Sequence, residues 1–438
     1  MLRRAVPFVL VVLVLMAGTA YAAAPNDPGW SAQWNLRTIH ADRAWTRSKG
    51  AGVVVAIVDT GVDGQHPDLH GRIVGGRNFV DAPSGGDTNW QDQQGHGTFM
   101  AGLVAADTGN SEGVASVAPS AKIMPVRVLS SSGSGTPSDV VKGINWAVGH
   151  GADIINLSLA VESNGGVGGS SGLNLFGDSG LNGAINNAAS AGRVVVIAAG
   201  NNFSSGGASQ TSYKASSPGV IVVGASTVAD HRAAYSNYGD GLDVLAPGGG
   251  SSSTPSASSC QSNAPVVSTW WNSGESVYGK GCGTSMAVAQ VSGIAALLMA
   301  KGYSNSGAVS RIERTAKDIY SPGRDAQSGW GRADAAAAVG STSSSGSNPK
   351  PKPKTSSRPR TTRPRVGVAG TKPTVKGSKI KPPSPTSGPA SPISGVRLSS
   401  AGPYAQPNDP RLRLFALALA LSVGVAVANT VARRAFER

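Results

Sequence analysis

Val53-Val-Val-Ala-Ile-Val-Asp59-Thr-Gly61-Val-Asp63 is the stretch on which the fold turns. Six apolar residues, four of them valine, run without a polar break and then meet a carboxylate. A strand with one wet face alternates apolar and polar residues; a run apolar on every position belongs to a strand covered on both sides, which is the habit of parallel sheets. Similar runs recur at Ile123–Val128, Ile154–Leu159, Val194–Ala199 and Val220–Val223. Helix-like stretches separate or follow them: His96–Ala106, Ser138–Gly149, Asn182–Ala191, Thr284–Lys301 and Ala308–Ala316. Buried strands alternating with helices predict an α/β fold, a mostly parallel sheet with helices on both faces. Neither an internal repeat nor a Gly-x-Gly-x-x-Gly turn follows the first strand. In such sheets the chemistry collects beyond the carboxyl ends of the strands.

Asp59 sits at such an end. A carboxylate closing an apolar run is costly unless something pairs with it, and an imidazole that it orients would supply the partner. Gly95-His96-Gly97-Thr98 opens the next helix, with a glycine on each side that allows close backbone approach. Gly283-Thr-Ser285-Met-Ala opens the long helix toward Lys301, at the positive end of its dipole. Each motif alone fits a turn cap, a surface histidine or an N-cap serine. Together they supply a hydroxyl nucleophile, a base, and an acceptor that holds the base in one tautomer. The chain order Asp, His, Ser is the order known for subtilisin. Val194–Gly200 runs into Asn201, whose side-chain amide can donate to a developing oxyanion, alongside the backbone N–H of Ser285.

On these four motifs, Asp59-Thr-Gly, Gly95-His-Gly-Thr, Ala199-Gly-Asn201 and Gly283-Thr-Ser-Met-Ala, residues 26–340 resemble the subtilisin-like serine proteases. The resemblance implies a three-layer subtilisin-like domain and a serine endopeptidase, with Asp59, His96 and Ser285 as catalytic triad and Asn201 in the oxyanion hole. It also implies that substrate backbone enters as an added strand between Gly133-Ser134-Gly135 and Ser158-Leu159-Ala160. The stretch Pro25-Asn26-Asp27-Pro28 to Gln33-Trp34 looks like the thermitase branch, which implies a structural Ca²⁺ held by Asp27, Asp68 and Asn110 with carbonyls completing the shell. No cofactor is required for the chemistry. Two departures stand out: Val288-Ala289-Gln290 replaces the family's usual Ser-Pro-His, and Ala160 replaces a usual glycine. Val161–Gly180 is long and Gly-rich and reads as a flap over the cleft.

The remaining chain reads as export and attachment. Arg3-Arg4, an apolar run from Pro7 to Ala17 and Ala20-Tyr21-Ala22 form a secretory signal over residues 1–23. Residues 24–340 form the protease domain. Residues 341–411 form a disordered Pro/Lys/Arg/Ser-rich linker: 341–410 hold 14 of the 27 prolines, 12 Lys/Arg and one acid, Asp409. Residues 412–432 read as one transmembrane helix, since the uncharged Leu414–Ala432 reaches about 28 Å, and 433–438 as a cytoplasmic stub. Signal and span together predict a single-pass cell-membrane protein with its catalytic domain on the extracellular side. Although the whole chain carries +14, residues 24–340 hold 19 basic and 22 acidic side chains, so the basic excess belongs to the tail. A nucleic-acid partner is not expected; the expected partners are protein or peptide substrates and the membrane. The two cysteines, Cys260 and Cys282, allow one disulfide, which an oxidising compartment would let form. A short N-terminus, a Pro-rich tail and a terminal span together resemble the mycosins, the membrane-anchored proteases of type VII secretion systems, which implies secretion-machinery proteins as further partners. The competing readings are a catalytically dispensable scaffold of a secretion complex and a scavenging protease shed by linker cleavage.

Overall fold

The computed structural model describes residues 24–82, 85–162, 179–201, 203, 213, 215–253, 264–340 and 397–400, all within one compact unit. The signal, the apolar stretch Leu414–Ala432, nearly all of the linker and Cys260 lie outside the described residues. Among the described residues no helix is long and apolar enough to cross a membrane.

The predicted strands are present. β1 is Val54–Asp59, β2 Arg77–Asn78, β3 Lys122–Arg127, β4 Ser134–Gly135, β5 Ile154–Leu157, β6 Leu159–Glu162, β7 Val194–Ala198, β8 Val220–Ser226 and β9 Val244–Pro247. Seven of them form a sheet in the order β2-β3-β1-β5-β7-β8-β9, every pair parallel. The apolar runs follow from its two covered faces. Val55 and Ile57 point into one core, Ala56 and Val58 into the other, the period-two alternation of a pleated strand. The first core is closed by α3 (His96–Ala105) and α6 (Thr284–Met299), the second by α4 (Pro137–Gly149) and α5 (Ser179–Ser190). Shorter helices α1 (Trp34–Thr38), α2 (Ala41–Ala44), α7 (Asn305–Thr315) and α8 (Ala335–Ala338) add to the first face.

α6 has no wet side. Every residue from Thr284 to Leu298 is buried, because the helix passes between α3 and the strand ends β5, β7, β8 and β9. Its small residues permit that depth: a Cβ on Gly293 would come within 2.5 Å of Val117 Cβ. A helix apolar all round belongs in a core, and here the core helix carries a motif serine in its first turn.

The topology fixes where a ligand can sit. From β1 the chain pairs on one side with β3 and on the other with β5, so the order reverses at β1 and a crevice opens beyond the carboxyl ends of β1 and β5. Those ends are Asp59 and, one residue past β5, Ser158.

One expectation changes. Ile154–Leu159 is not one strand: the chain leaves the parallel sheet at Ser158, and β6 joins a second sheet of order β4-β12-β6, β12 being Arg397–Ser400. A polar anchor makes the break, since Ser158 Oγ accepts from Asn156 Nδ2 at 2.9 Å and donates to the Ser285 carbonyl at 3.3 Å. Of the expected flap, Val161 and Glu162 extend β6, Ser179 and Gly180 start α5, and 163–178 lie outside the described residues. A hairpin also went unforeseen: β10 (Val266–Asn272) and β11 (Glu275–Gly281) turn at Ser273-Gly274, both at positive φ, as a two-residue hairpin loop requires. It packs on α3 and places Trp270 beneath Gly95.

One titrating group should be visible in the stability of this body. Burial on α7, with Asp243 near, pushes the Glu313 carboxyl up to about 7. Its neutral form therefore favours folding below the unfolded value near 4.5, and that contribution is lost as pH rises through about 7. Glu313→Gln is expected to flatten the fall in unfolding free energy between pH 5 and 8 by about 1–2 kcal/mol, read from urea melts.

Candidate active site

Asp59 ends β1 fully buried, and His96 opens α3 only 2% exposed. Their side chains meet: His96 Nδ1 lies 2.8 Å from Asp59 Oδ1 and 2.9 Å from Oδ2. The Thr60 backbone N–H also donates to Oδ1, at 2.7 Å. With Nδ1–H committed to the carboxylate, Nε2 is the basic nitrogen, and it is buried without a hydrogen-bond partner. Gly97 makes the approach possible: a Cβ there would stand 2.0 Å from the Gly61 carbonyl oxygen and 3.2 Å from Asp59 Cβ.

Sequence reading missed the group that holds this corner together. Asp92, fully buried, accepts from Thr60 Oγ1, Gln94 N and Gly95 N at 2.9 Å, from Thr98 N at 3.0 Å and from Thr98 Oγ1 at 2.5 Å. Thr60 Oγ1 in turn accepts from Gly97 N at 2.9 Å. One carboxylate thus gathers the start of α3 and ties it to the residue after Asp59. Burial raises its carboxyl above the ordinary value, opposed only in part by the hydrogen bonds from Thr98, Gly95 and Gln94. The available signal was an acid four residues before a histidine at a helix start, a common N-terminal satisfier of orphan N–H groups.

Ser285 lies in the first turn of α6, and α6 packs against α3, so the serine and the histidine stand at the amino ends of neighbouring helices. Ser285 Oγ donates to the Ser158 carbonyl at 3.3 Å. A buried polar chain continues behind it: Ser292 Oγ donates to Asn156 Oδ1 at 2.9 Å, and Asn156 Nδ2 to Ser158 Oγ. It locks α6 to the end of β5.

Asn201 follows β7. Its Oδ1 accepts from both Thr284 N and Thr284 Oγ1 at 2.9 Å. The amide oxygen being committed, the Nδ2 group is left buried with no partner, beside the first turn of α6. A buried amide donor of this kind normally costs stability; its cost is recovered only when an acceptor arrives.

Of the expected substrate walls, Ser134 and Gly135 form β4 and Leu159 and Ala160 lie in β6, the outer strands of the small sheet. Gly133 has φ 73°, and a Cβ on Gly135 would lie 2.2 Å from the Val128 carbonyl oxygen. These glycines let β4 run close beneath the end of β3. Ser158 and Leu159 are buried and Ala160 lies in β6.

Asp27, Asp68 and Asn110 also meet. Asn110 Nδ2 donates to Asp68 Oδ1 at 3.0 Å, Val114 N to Asp68 Oδ2 at 2.7 Å, and Gly109 N to both Asp27 oxygens at 2.9 and 2.8 Å. Burial pushes Asp68 up to about 6 and raises Asp27 as well, and the charge of Asp27 adds to the rise at Asp68. The carboxylate oxygens suit a hard divalent cation. Asn110 presents its nitrogen to Asp68 while its Oδ1 accepts from Glu112 N at 2.9 Å, so the amide would have to turn to add an oxygen.

The family model described as the subtilase family matches residues 50–331. The chain belongs to the subtilase family. It is 40% identical over 300 residues to thermitase of Thermoactinomyces vulgaris, covering 68% of this chain and 94% of that protein. It is 38% identical over 301 residues to a thermophilic serine proteinase of Bacillus sp. strain AK1, covering 68% of this chain and 65% of the relative. Among solved structures it is similar to a protease of Pseudoalteromonas arctica PAMC 21717, with TM-score 0.60 and 36% identity, covering 72% of this chain and 99% of that one. The chain is a subtilisin-like serine endopeptidase.

Gln290, the departure from the usual subtilase histidine, has a structural task. Its Nε2 donates to the Pro247 carbonyl at 2.6 Å and to the Met286 carbonyl at 2.9 Å, while Oε1 accepts from Asn35 Nδ2 at 3.3 Å. It therefore joins α6 to β9 and α1 without touching Asp59 or His96. Gly97→Ala is the sharper probe of the corner. The added methyl must displace the Gly61 carbonyl, at about 1–3 kcal/mol of overpacking, so peptide hydrolysis should fall at least ten-fold and the melting temperature should drop.

Proposed function

We propose that Ser285 is the nucleophile, His96 its general base and later acid, Asp59 the group that orients the imidazole, and Asn201 an oxyanion donor with the Ser285 backbone N–H. One observation carries this reading: Nε2 of His96 and Nδ2 of Asn201 are both buried and unpartnered, on residues held at the starts of the neighbouring helices α3 and α6, while the other end of each side chain is firmly bonded. Turning about its side-chain bond, Ser285 Oγ leaves the Ser158 carbonyl for Nε2 and attacks the scissile carbonyl carbon. The proton passes to Nε2, the oxyanion forms against Asn201, and the C–N bond breaks as the amine takes the proton. Water, deprotonated by the same nitrogen, then splits the acyl-enzyme. A fluorophosphonate probe should label the purified protein at Ser285, and Ser285→Ala should abolish both label and peptide hydrolysis; a label persisting in that variant would reject the assignment.

The reading extends to place and support. The protease is secreted by the signal at 1–23, tethered by 412–432 with its catalytic domain outside, and acts on proteins at the membrane, secretion-machinery proteins among them. The support is the hydrophobic pattern of both ends, the Pro-rich spacer and the near-neutral charge of residues 24–340. A Cys260–Cys282 disulfide suits that compartment; the support is that Cys282 is fully buried and has the bonding of a disulfide cysteine.

Asp27, Asp68 and Asn110 hold a structural Ca²⁺. Burial that raises two neighbouring carboxyls despite the hydrogen bonds they accept is the supporting observation, since a divalent cation would neutralise both. The ion would tie the stretch before α1 to the segment after α3, away from the chemistry. EGTA should lower the melting temperature by about 4 °C, as expected for a ligand near 100-fold above its Kd. Asp68→Asn should remove that response, and an unchanged melt in EGTA would dismiss the site.

A further inference from the structure

The stretch Tyr235-Ser236-Asn237, between β8 and β9, touches both elements that carry the oxyanion donors. Toward Asn201, Asn237 N donates to the Gly200 carbonyl at 2.9 Å. Toward Ser285, the Tyr235 hydroxyl lies 2.9 Å from each of the Gly248 and Gly249 carbonyl oxygens and donates between them. The Gly248 carbonyl also accepts from Gly283 N at 3.0 Å. Gly283 caps the start of α6, and Thr284 N returns to Asn201 Oδ1 at 2.9 Å. Followed along the chain and across these hydrogen bonds, the path that leaves Asn201 comes back to it: the contacts close a ring. We propose that Tyr235 is a positioning residue for the reaction, its hydroxyl setting, through this ring, the distance between the two oxyanion donors, Asn201 Nδ2 and the Ser285 N–H.

The ring is tight on both sides. Gly200 has φ 103°, and a Cβ there would stand 2.5 Å from Asn237 Nδ2. A Cβ on Gly248 would stand 2.4 Å from Ala225 Cβ, 2.7 Å from the Gly283 oxygen and 2.9 Å from the Tyr235 oxygen. The ring is also anchored to the parallel sheet. Ala225 N in β8 donates to Ser236 Oγ at 3.0 Å, Ser236 Oγ to the Asn237 carbonyl at 3.1 Å, and Gly248 N to the Ser226 carbonyl at 2.9 Å. Tyr235, Ser236, Asn237 and Gly248 are all buried, so bulk water does not replace a bond lost among them. Burial pushes the Tyr235 phenol above its ordinary value, so it stays protonated and donating at neutral pH.

Spacing is what the chemistry needs here. A donor serves an oxyanion only at about 2.7–3.1 Å from it, and a misplacement of about 1 Å can cost about 10²-fold in rate. Asn201 Nδ2 is buried without a partner, so nothing at its own end corrects a shift of the frame. The negative oxygen exists only once Ser285 has attacked. Loosening the ring therefore lowers kcat and leaves KM in place.

The role of Tyr235 rests on Asn201 and the Ser285 N–H as oxyanion donors, and the experiment tells the two claims apart. Full-length wild type, Tyr235→Phe, Gly248→Ala, Asn201→Ala and the double variant Tyr235→Phe/Asn201→Ala are compared in peptide hydrolysis. Each is also titrated with a peptide aldehyde, whose carbon takes Ser285 Oγ and whose oxygen then meets the donors, and with the matching peptide alcohol, which forms no such adduct. Tyr235→Phe keeps the ring and removes one oxygen. It is expected to lower kcat about ten-fold with KM within about two-fold, to weaken the aldehyde by the same factor and to leave the alcohol unchanged. Gly248→Ala, which presses on Gly283 and on the Tyr235 oxygen, should show the same pattern. With Asn201 already truncated there is no spacing left to set, so adding Tyr235→Phe should cost less than about three-fold. A merely structural role would lower the melting temperature and leave kcat and the aldehyde-to-alcohol ratio as in wild type. Folded Tyr235→Phe with wild-type kcat, equal weakening of aldehyde and alcohol, or the full ten-fold loss in the Asn201→Ala background overturns the inference. If Tyr235→Phe does not fold, Gly248→Ala with wild-type aldehyde affinity overturns it. Asn201→Ala that cleaves peptide as wild type does overturns the oxyanion reading, and this inference with it.

Discussion

The hydrogen-bonded pair of Asp59 and His96 is the constraint around which the rest is arranged. A fully buried carboxylate at the end of an apolar strand is tolerable only with donors on its oxygens. Here they are the imidazole Nδ1–H and the Thr60 N–H. Meeting that need dictates local sequence. α3 must begin within reach of the strand end, which only a glycine at 97 allows, and its first N–H groups must be held, which Asp92 and Gln94 do. The arrangement is costly: two buried carboxylates, Asp59 and Asp92, stand within one corner, with Thr60 bridging from one to the other. The return is an imidazole whose orientation and tautomer are set before any substrate arrives, which is the preorganisation that acyl transfer uses.

A second device sits opposite. α6 is buried on every side, so its position is decided by packing against β5, β7, β8 and β9 rather than by solvent. Polar groups then pin it at both flanks: Asn201 Oδ1 on Thr284, and the chain Ser292–Asn156–Ser158 along its inner side. Gln290 adds a third attachment, to Pro247. This gives a physical account of why the departure from the family's usual proline and histidine is tolerated. The helix does not depend on a stiff first turn when three separate hydrogen-bonded contacts already fix it. The one side-chain nitrogen left over in this set, Asn201 Nδ2, is the group that the surroundings hold in place without satisfying.

The two sheets divide the work. The parallel sheet supplies rigidity and brings the ends of β1 and β5 side by side. The small antiparallel sheet joins β4 and β6 through β12, a strand from the chain's own tail. Exposed strand edges are normally blunted or covered. Here β12 covers the facing edges of β4 and β6.

The sequence alone determined the fold class and the chemistry. Unbroken apolar runs such as Val53–Val58 have one stable use, a strand covered on both faces. The polar residues that interrupt the pattern at strand and helix ends, Asp59, His96, Asn201 and Ser285, could be picked out because local propensity gives no other reason for them to occur together. What escaped were groups whose partners are remote or whose signal is weak. Asp92 reads as an ordinary turn acid until α3 is folded onto it. Asn156 hides within an apolar run. The hairpin β10–β11 was signalled only by Ser273-Gly274, and β9 by four residues. The break at Ser158 could not be read either, because it is made by hydrogen bonds to a helix 127 positions away. Tertiary structure alone decided which strand edge stays open and which segment lies on it. Backbone hydrogen bonding is indifferent to side-chain identity, so pairing between β4, β12 and β6 leaves almost no trace in sequence beyond a stretch without proline.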